Sequence, residues 1–147
     1  MRQLIYALVL FIISCGNTKN SNEQAANNCT KDQKIQLLIN EVINLPILQQ
    51  YYNVQEVIGQ KQLVIVKTGS LNNSIKLNKF ELPVKIIPIE EIQNLKIEAY
   101  LEFEEIVLNG DSARVYFRYD IQGIGCTAEF TLSDCKWEVE KIDLWEN

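Results

Sequence analysis

The sequence predicts an α+β domain, with one amphipathic amino-terminal helix packed on a curved antiparallel β-sheet meander. Three observations predict it. Thr30 opens a stretch whose apolar residues follow helical spacing; from residue 97 to 144 the apolar residues alternate with period two instead; and Asn109-Gly110-Asp111 stands between two alternating runs as a hairpin signal. The chain has 147 residues, which suits one domain with a short appendage, and 47% of them are hydrophobic, enough to pack a core.

The helix starts where its cap is written. Thr30 and Gln33 fit a capping box, the hydroxyl accepting from one orphan amide while the glutamine reaches back to another. Ile35, Leu38, Ile39 and Val42 then share one face, and Asn44, Leu45 and Pro46 end the helix. It is expected to be the only strongly helical stretch. A second, very short turn is expected at Pro88 in IPIEEIQN, with proline at the first helical position and Glu90 and Glu91 near the positive helix end.

The remainder predicts strands. LVIV at 63–66 is a short apolar run after a turn at Gly59-Gln60-Lys61. Ile97, Ala99, Leu101 and Phe103 share one strand face; beyond the Asn109-Gly110 turn, Ala113, Val115, Phe117, Tyr119 and Ile121 share another. Cys126, Ala128, Phe130 and Leu132 continue the pattern. After a turn at Ser133-Asp134, Trp137 and Val139 face inward, and the phase slips to Ile142 and Leu144, which implies a bulge near Glu140. A leading helix followed by about four meandering strands resembles the cystatin-like and NTF2-like architectures in element order.

Upstream of the domain, residues 1–14 carry one arginine and an apolar run of about ten residues, too short for the roughly 20 that a spanning helix needs. A positive start, a short apolar core and a small terminal residue form a signal-peptide pattern. Ile12-Ile13-Ser14-Cys15 resembles the lipobox of bacterial lipoproteins. The resemblance implies cleavage of residues 1–14, a diacylglycerol on the Cys15 thiol and acylation of the new terminus. Gly16, where an aspartate would favour the inner membrane, implies the outer membrane. Residues 15–29 then form the lipidated cysteine and a flexible linker poor in apolar side chains, and 30–147 form the single domain.

Composition excludes several chemistries. There is no histidine, which removes Ser-His-Asp and Cys-His nucleophiles and histidine-bearing zinc sites, and the net charge of −5 argues against a nucleic-acid partner. No Gly-rich phosphate loop and no calcium-loop spacing are present, so no cofactor is expected.

Three sets of residues remain as candidates. With Cys15 lipidated, Cys29, Cys126 and Cys135 are left. Cys126 and Cys135 lie over 20 Å apart along an extended strand, roughly three times the disulfide reach of about 7 Å. The open readings are therefore three inert thiols, or a bridge from Cys29 to Cys126 or to Cys135. Glu102, Glu104 and Glu105 form an acidic cluster, which predicts a solvated strand face with Arg114 and Arg118 as cross-strand partners rather than acid–base chemistry. Tyr116 between those two arginines makes a possible interaction patch, and Tyr100 and Trp145 are further candidates for a patch or a cavity.

The expected function is accordingly a non-enzymatic binding or assembly module, held to the membrane by its lipid anchor and facing an envelope protein partner. The alternatives are an inhibitor or immunity-type protein, or a small-molecule binder or isomerase-like enzyme with a pocket between helix and sheet. Glu105, Asp120 or Tyr119 pointing into an enclosed cavity would favour the pocket.

Overall fold

Helix α1, Lys31–Ile43, opens on the expected cap: the Gln33 amide donates to Thr30 Oγ1 at 3.3 Å and the Thr30 amide donates to Gln33 Oε1 at 2.9 Å. Such a cap stabilises a helix by about 1 kcal/mol. The buried face carries Ile35, Leu38, Ile39, Val42 and Ile43, and Asn44 closes the helix with its side-chain amide on Asn40 O. The structure is a computed structural model that describes residues 29–69, 71 and 74–146. The leader 1–14, Cys15 and the linker up to residue 28 lie outside the described residues.

Pro46 ends α1 but does not end helical structure. It is the first residue of α2, Pro46–Gln49, followed by a 3-10 turn at Gln50–Tyr52 and by α3, Asn53–Val57. The expectation of one strongly helical stretch and a short turn at Pro88 misses this segment because proline at the first position lacks only an N–H that no helix would use there, so it starts helices as well as stopping them. The Gln49 side chain holds the entry by donating to Leu45 O at 2.8 Å.

Strand β1, Val64–Val66, is buried throughout. It pairs in parallel with β4, Lys85–Ile87, and Ile65 forms a parallel bridge to Leu101. Burial on both faces is the condition in which short parallel strands are found. Between them lie β2, Asn78–Lys79, and β3, Leu82–Pro83, a minimal antiparallel hairpin. Helix α4, Ile89–Asn94, stands at the expected place, but Pro88 caps it from outside instead of occupying its first turn.

The carboxyl-terminal half is a four-stranded antiparallel sheet in the order β5-β6-β7-β8: Glu102–Asn109, Ser112–Tyr119, Ile124–Ser133 and Lys136–Glu146. Gly110 takes the left-handed conformation that the first hairpin requires (φ +63°). The bulge at Glu140 is where the phase slip places it, since Phe130 pairs with Val139 and Glu129 with Lys141. Val139 nevertheless remains 42% exposed, against the inward position expected of it.

Two further expectations are corrected, and a bulge absent from the sequence-based reading is added. Residues 97–101 precede the strand, and Ile97 packs with Val64, Val66 and Ile92 in a cluster of its own, apart from Ala99, Leu101 and Phe103. A second bulge, between Phe103 and Glu105, turns Ile106 and Leu108 inward. Ile121 leaves the strand for a 3-10 turn, Asp120–Gln122, that ends on left-handed Gly123.

The fold is thus mixed α+β with antiparallel sheets and one parallel pair. Residues of α1 and of all four long strands belong to one core cluster. Two polar ties join them: Trp137 Nε1 donates to Lys34 O at 2.9 Å, and Lys34 Nζ meets Asp111 at 3.0 Å.

Candidate functional site

The strand faces place the residues singled out in the sequence. Arg118 meets Glu102 at 3.0 Å, Glu104 at 2.6 Å and Asp120 at 3.6 Å, while Arg114 meets Glu105 at 3.0 Å. The second bulge causes this division: it inserts Glu104 as an unpaired residue and brings Glu105 opposite Tyr116. Such part-exposed pairs each contribute about 0–1 kcal/mol. Tyr116 stacks at a tilt on Trp145, ring centroids 5.4 Å apart. Trp145 also lies across Gly125; a Cβ there would stand 2.4 Å from the indole, so glycine is required by the close approach. Tyr100 is not brought to this face and packs against the Val64, Val66 and Ile92 cluster.

Of Glu105, Asp120 and Tyr119, the first two are exposed and paired with arginines, and Tyr119 is wholly buried. The Tyr119 hydroxyl is set against the Gln55 side-chain amide, in a geometry short of a regular hydrogen bond. Burial raises its pKa, and the neighbouring Gln55 amide offsets part of the rise.

The three cysteines among the described residues resolve into a pair and a single thiol. A disulfide joins Cys29 to Cys135, with Cα atoms 5.9 Å apart, and so ties the residue before the α1 cap to the β7–β8 turn. In that turn Asp134 and Cys135 both have positive φ, +49° and +58°. Cys126 is buried and free; burial, reinforced by the charge of Asp143, pushes its thiol up to about 11. No set of three or more His, Cys, Asp or Glu placed to hold a metal occurs among the described residues.

The structure adds a site that the sequence reading did not single out. A cavity of about 490 Å³ lies between the helical segment 46–60 and the β2–β3 hairpin, lined by Gln49, Tyr52, Gln55, Gln60, Phe80 and Leu82. That volume is in the range of small-molecule sites, about 300–1,000 Å³. Gln55 is 2% exposed, and its Nε2 and Oε1 make no regular hydrogen bond among the described residues, the Tyr119 hydroxyl being set against the amide. An amide left in that state costs about 1–3 kcal/mol.

Aromatic rings connect the mouth of the cavity to the core. Phe80, 45% exposed, meets Tyr52 edge-on at 5.5 Å, and Tyr52 meets Tyr119 at 5.8 Å. Tyr52 is anchored by its hydroxyl donating to Ile43 O at 3.1 Å, and burial raises its pKa. Lys79 is buried beside them. Its Nζ donates to Asn44 Oδ1 at 2.8 Å and Gln49 Oε1 at 2.7 Å, and stands 5.2 Å from the centroids of both Tyr52 and Phe80. Desolvation lowers its pKa. Phe80 is presented by a tight turn in which it and Glu81 both take positive φ, +55° and +63°. Hairpin turns of that form favour Asn-Gly, and a bulky side chain there costs about 1–2 kcal/mol.

One signal for this site was present in the chain. Ile75, Leu77 and Lys79 alternate, and all three are buried, so a lysine stands in the apolar phase of a short run. Nothing in the local sequence marks Gln55. The fold and site together define a mixed α+β protein with a ligand-sized cavity. No protein-family model matches the chain, and neither a curated protein nor a solved structure matches it.

Proposed function

We propose that this chain is an extracytoplasmic lipoprotein, anchored to the outer membrane through Cys15, whose domain acts as a non-enzymatic binding module. The Cys29–Cys135 disulfide carries the reading of location, because structural disulfides persist in oxidising compartments outside the cytoplasm. Within the domain, the reading takes α1 to cover one face of a curved meander, in the cystatin-like or NTF2-like manner. The cavity supports binding: the buried side chains of its lining, Gln55 and Tyr52, carry an amide and a phenol, while the charged Glu56 and Lys61 in the same lining are exposed to solvent. An envelope protein partner would meet the outer sheet face, where Arg114, Tyr116, Arg118 and Trp145 combine aromatic and guanidinium surface.

A native mass spectrum of the protein extracted from its own membrane tests the anchor. The expected mass lacks residues 1–14 and carries acyl groups on the terminal cysteine. Retention of residues 1–14 without lipid would remove the anchor and the outer-membrane assignment together.

A further inference from the structure

We infer that two copies of this chain associate through the outer edge of β8, antiparallel about Ile142, and so join their sheets into one of eight strands. The inference goes beyond the binding reading of the domain and does not depend on the anchor. β8 runs eleven residues, Lys136–Glu146, with β7 on one side and no strand on the other among the described residues. Alternate residues of such a strand direct their N–H and C=O groups outward, and the edge is a template for a further strand. Its inner face is also left open there: Val139 is exposed, and Ile142 and Leu144 are only half-buried.

The occupant follows from the order of the side chains. With Ile142 opposite Ile142 of the second copy, Lys141 faces the second copy's Asp143, and by symmetry Asp143 faces its Lys141. Both lie on the outer sheet face, beside Glu129 and Thr127 of β7. Glu140 is the bulged residue and drops out of the count, so Val139 comes opposite Leu144 of the second copy. The inner row is then apolar throughout: Val139 on Leu144, Ile142 on Ile142, Leu144 on Val139. Within one copy Lys141 already meets Asp143 at 2.5 Å, both exposed, and an ammonium has three donors with which to reach a second carboxylate. The bulge and the charges, devices that often guard an edge, here keep two copies in phase. The other edge strand differs. The charged residues of β5 are Glu102, Glu104 and Glu105, so two copies of it repel, and Ile65 bridges to Leu101 beside its start.

Sedimentation of the full chain in a neutral, density-matched detergent tests this, with the two exposed charges changed one at a time. An interface of this length is at the small end, so the unmodified protein is expected to pass from monomer to dimer with a Kd of about 100 μM. Lys141→Asp and Asp143→Lys, each folded by circular dichroism, set like charges opposite one another twice in every dimer and should weaken association about tenfold. Mixed in equal amounts, the two variants oppose unlike charges at both places, and the mixture should dimerise about as tightly as the unmodified chain. Association that neither variant weakens, as contact through residues 1–14 or the outer sheet face would give, would overturn the inference. So would a mixture no tighter than its components. A monomer at every concentration up to about 1 mM would also overturn it, and would leave the edge to a strand of another protein. A protein found without lipid would leave a dimer standing, and a monomer would leave the anchor standing.

Discussion

In the β5–β8 sheet the inward positions of β6 and β7 carry apolar or aromatic side chains, from Ala113 to Tyr119 and from Ile124 to Phe130. The first hairpin uses glycine at its left-handed position, and the left-handed Cys135 in the last is held covalently by Cys29. Around the cavity the same rules are broken without such compensation. An amide is buried without a regular hydrogen bond, a lysine occupies an apolar phase, and a phenylalanine turns the chain at positive φ. Local rules tend to be broken where a protein functions. The contrast therefore separates a scaffold that is near its local optimum from a site held away from it, and substitutions towards the local ideal should act in opposite directions in the two regions.

The largest effect belongs to the scaffold. Reducing the disulfide, or Cys29→Ser, is expected to cost about 4 kcal/mol, because the bridge closes a sequence separation of 106 residues in the unfolded chain. Urea unfolding with and without reductant measures it, and an unchanged midpoint would show that the scaffold does not depend on this tie. Next, Gly125→Ala should cost about 1–3 kcal/mol by displacing the Trp145 ring that lies over it. The indole N–H signal of Trp145 should move in the same variant; an unmoved signal would contradict the close approach.

The cavity should answer with the other sign. Gln55→Leu is expected to raise stability by about 1 kcal/mol, since a buried amide that makes no regular hydrogen bond is replaced by an apolar side chain of similar size. A melting temperature lower than that of the unmodified protein would mean that the amide is partnered within the fold, and the contrast would lose its strongest member. Glu81→Asn should give the smallest change, a gain of about 0.5 kcal/mol, because asparagine tolerates the left-handed conformation better than glutamate. Loss of stability there would show that the turn is shaped by contacts of the Glu81 side chain.

The same division governs what could be read beforehand. The bulge at Glu140 was legible because Trp137 and Ile142 are apolar on phases that do not match, and only an extra residue reconciles them. The bulge at Glu104 was not, since Glu104 and Glu105 are alike in polarity and either can face solvent. Arg114, Tyr116 and Arg118 were correctly placed on one polar face, whereas separating Tyr100 from Trp145 required knowledge of which side chains each packs against.

By itself, the sequence determined the elements whose causes are local: the capped helix from Thr30 to Asn44, the hairpin at Gly110 and the alternation of the long strands. Those features depend on hydrogen bonds and side-chain periods within a few residues. Only the tertiary structure decided the parallel pairing of Val64–Val66 with Lys85–Ile87, the partner of Cys29, and the meeting of Gln55, Tyr52 and Phe80 around one cavity. Each of these joins segments far apart in the chain, and no periodicity of charge or apolarity records which distant surfaces will close over one another.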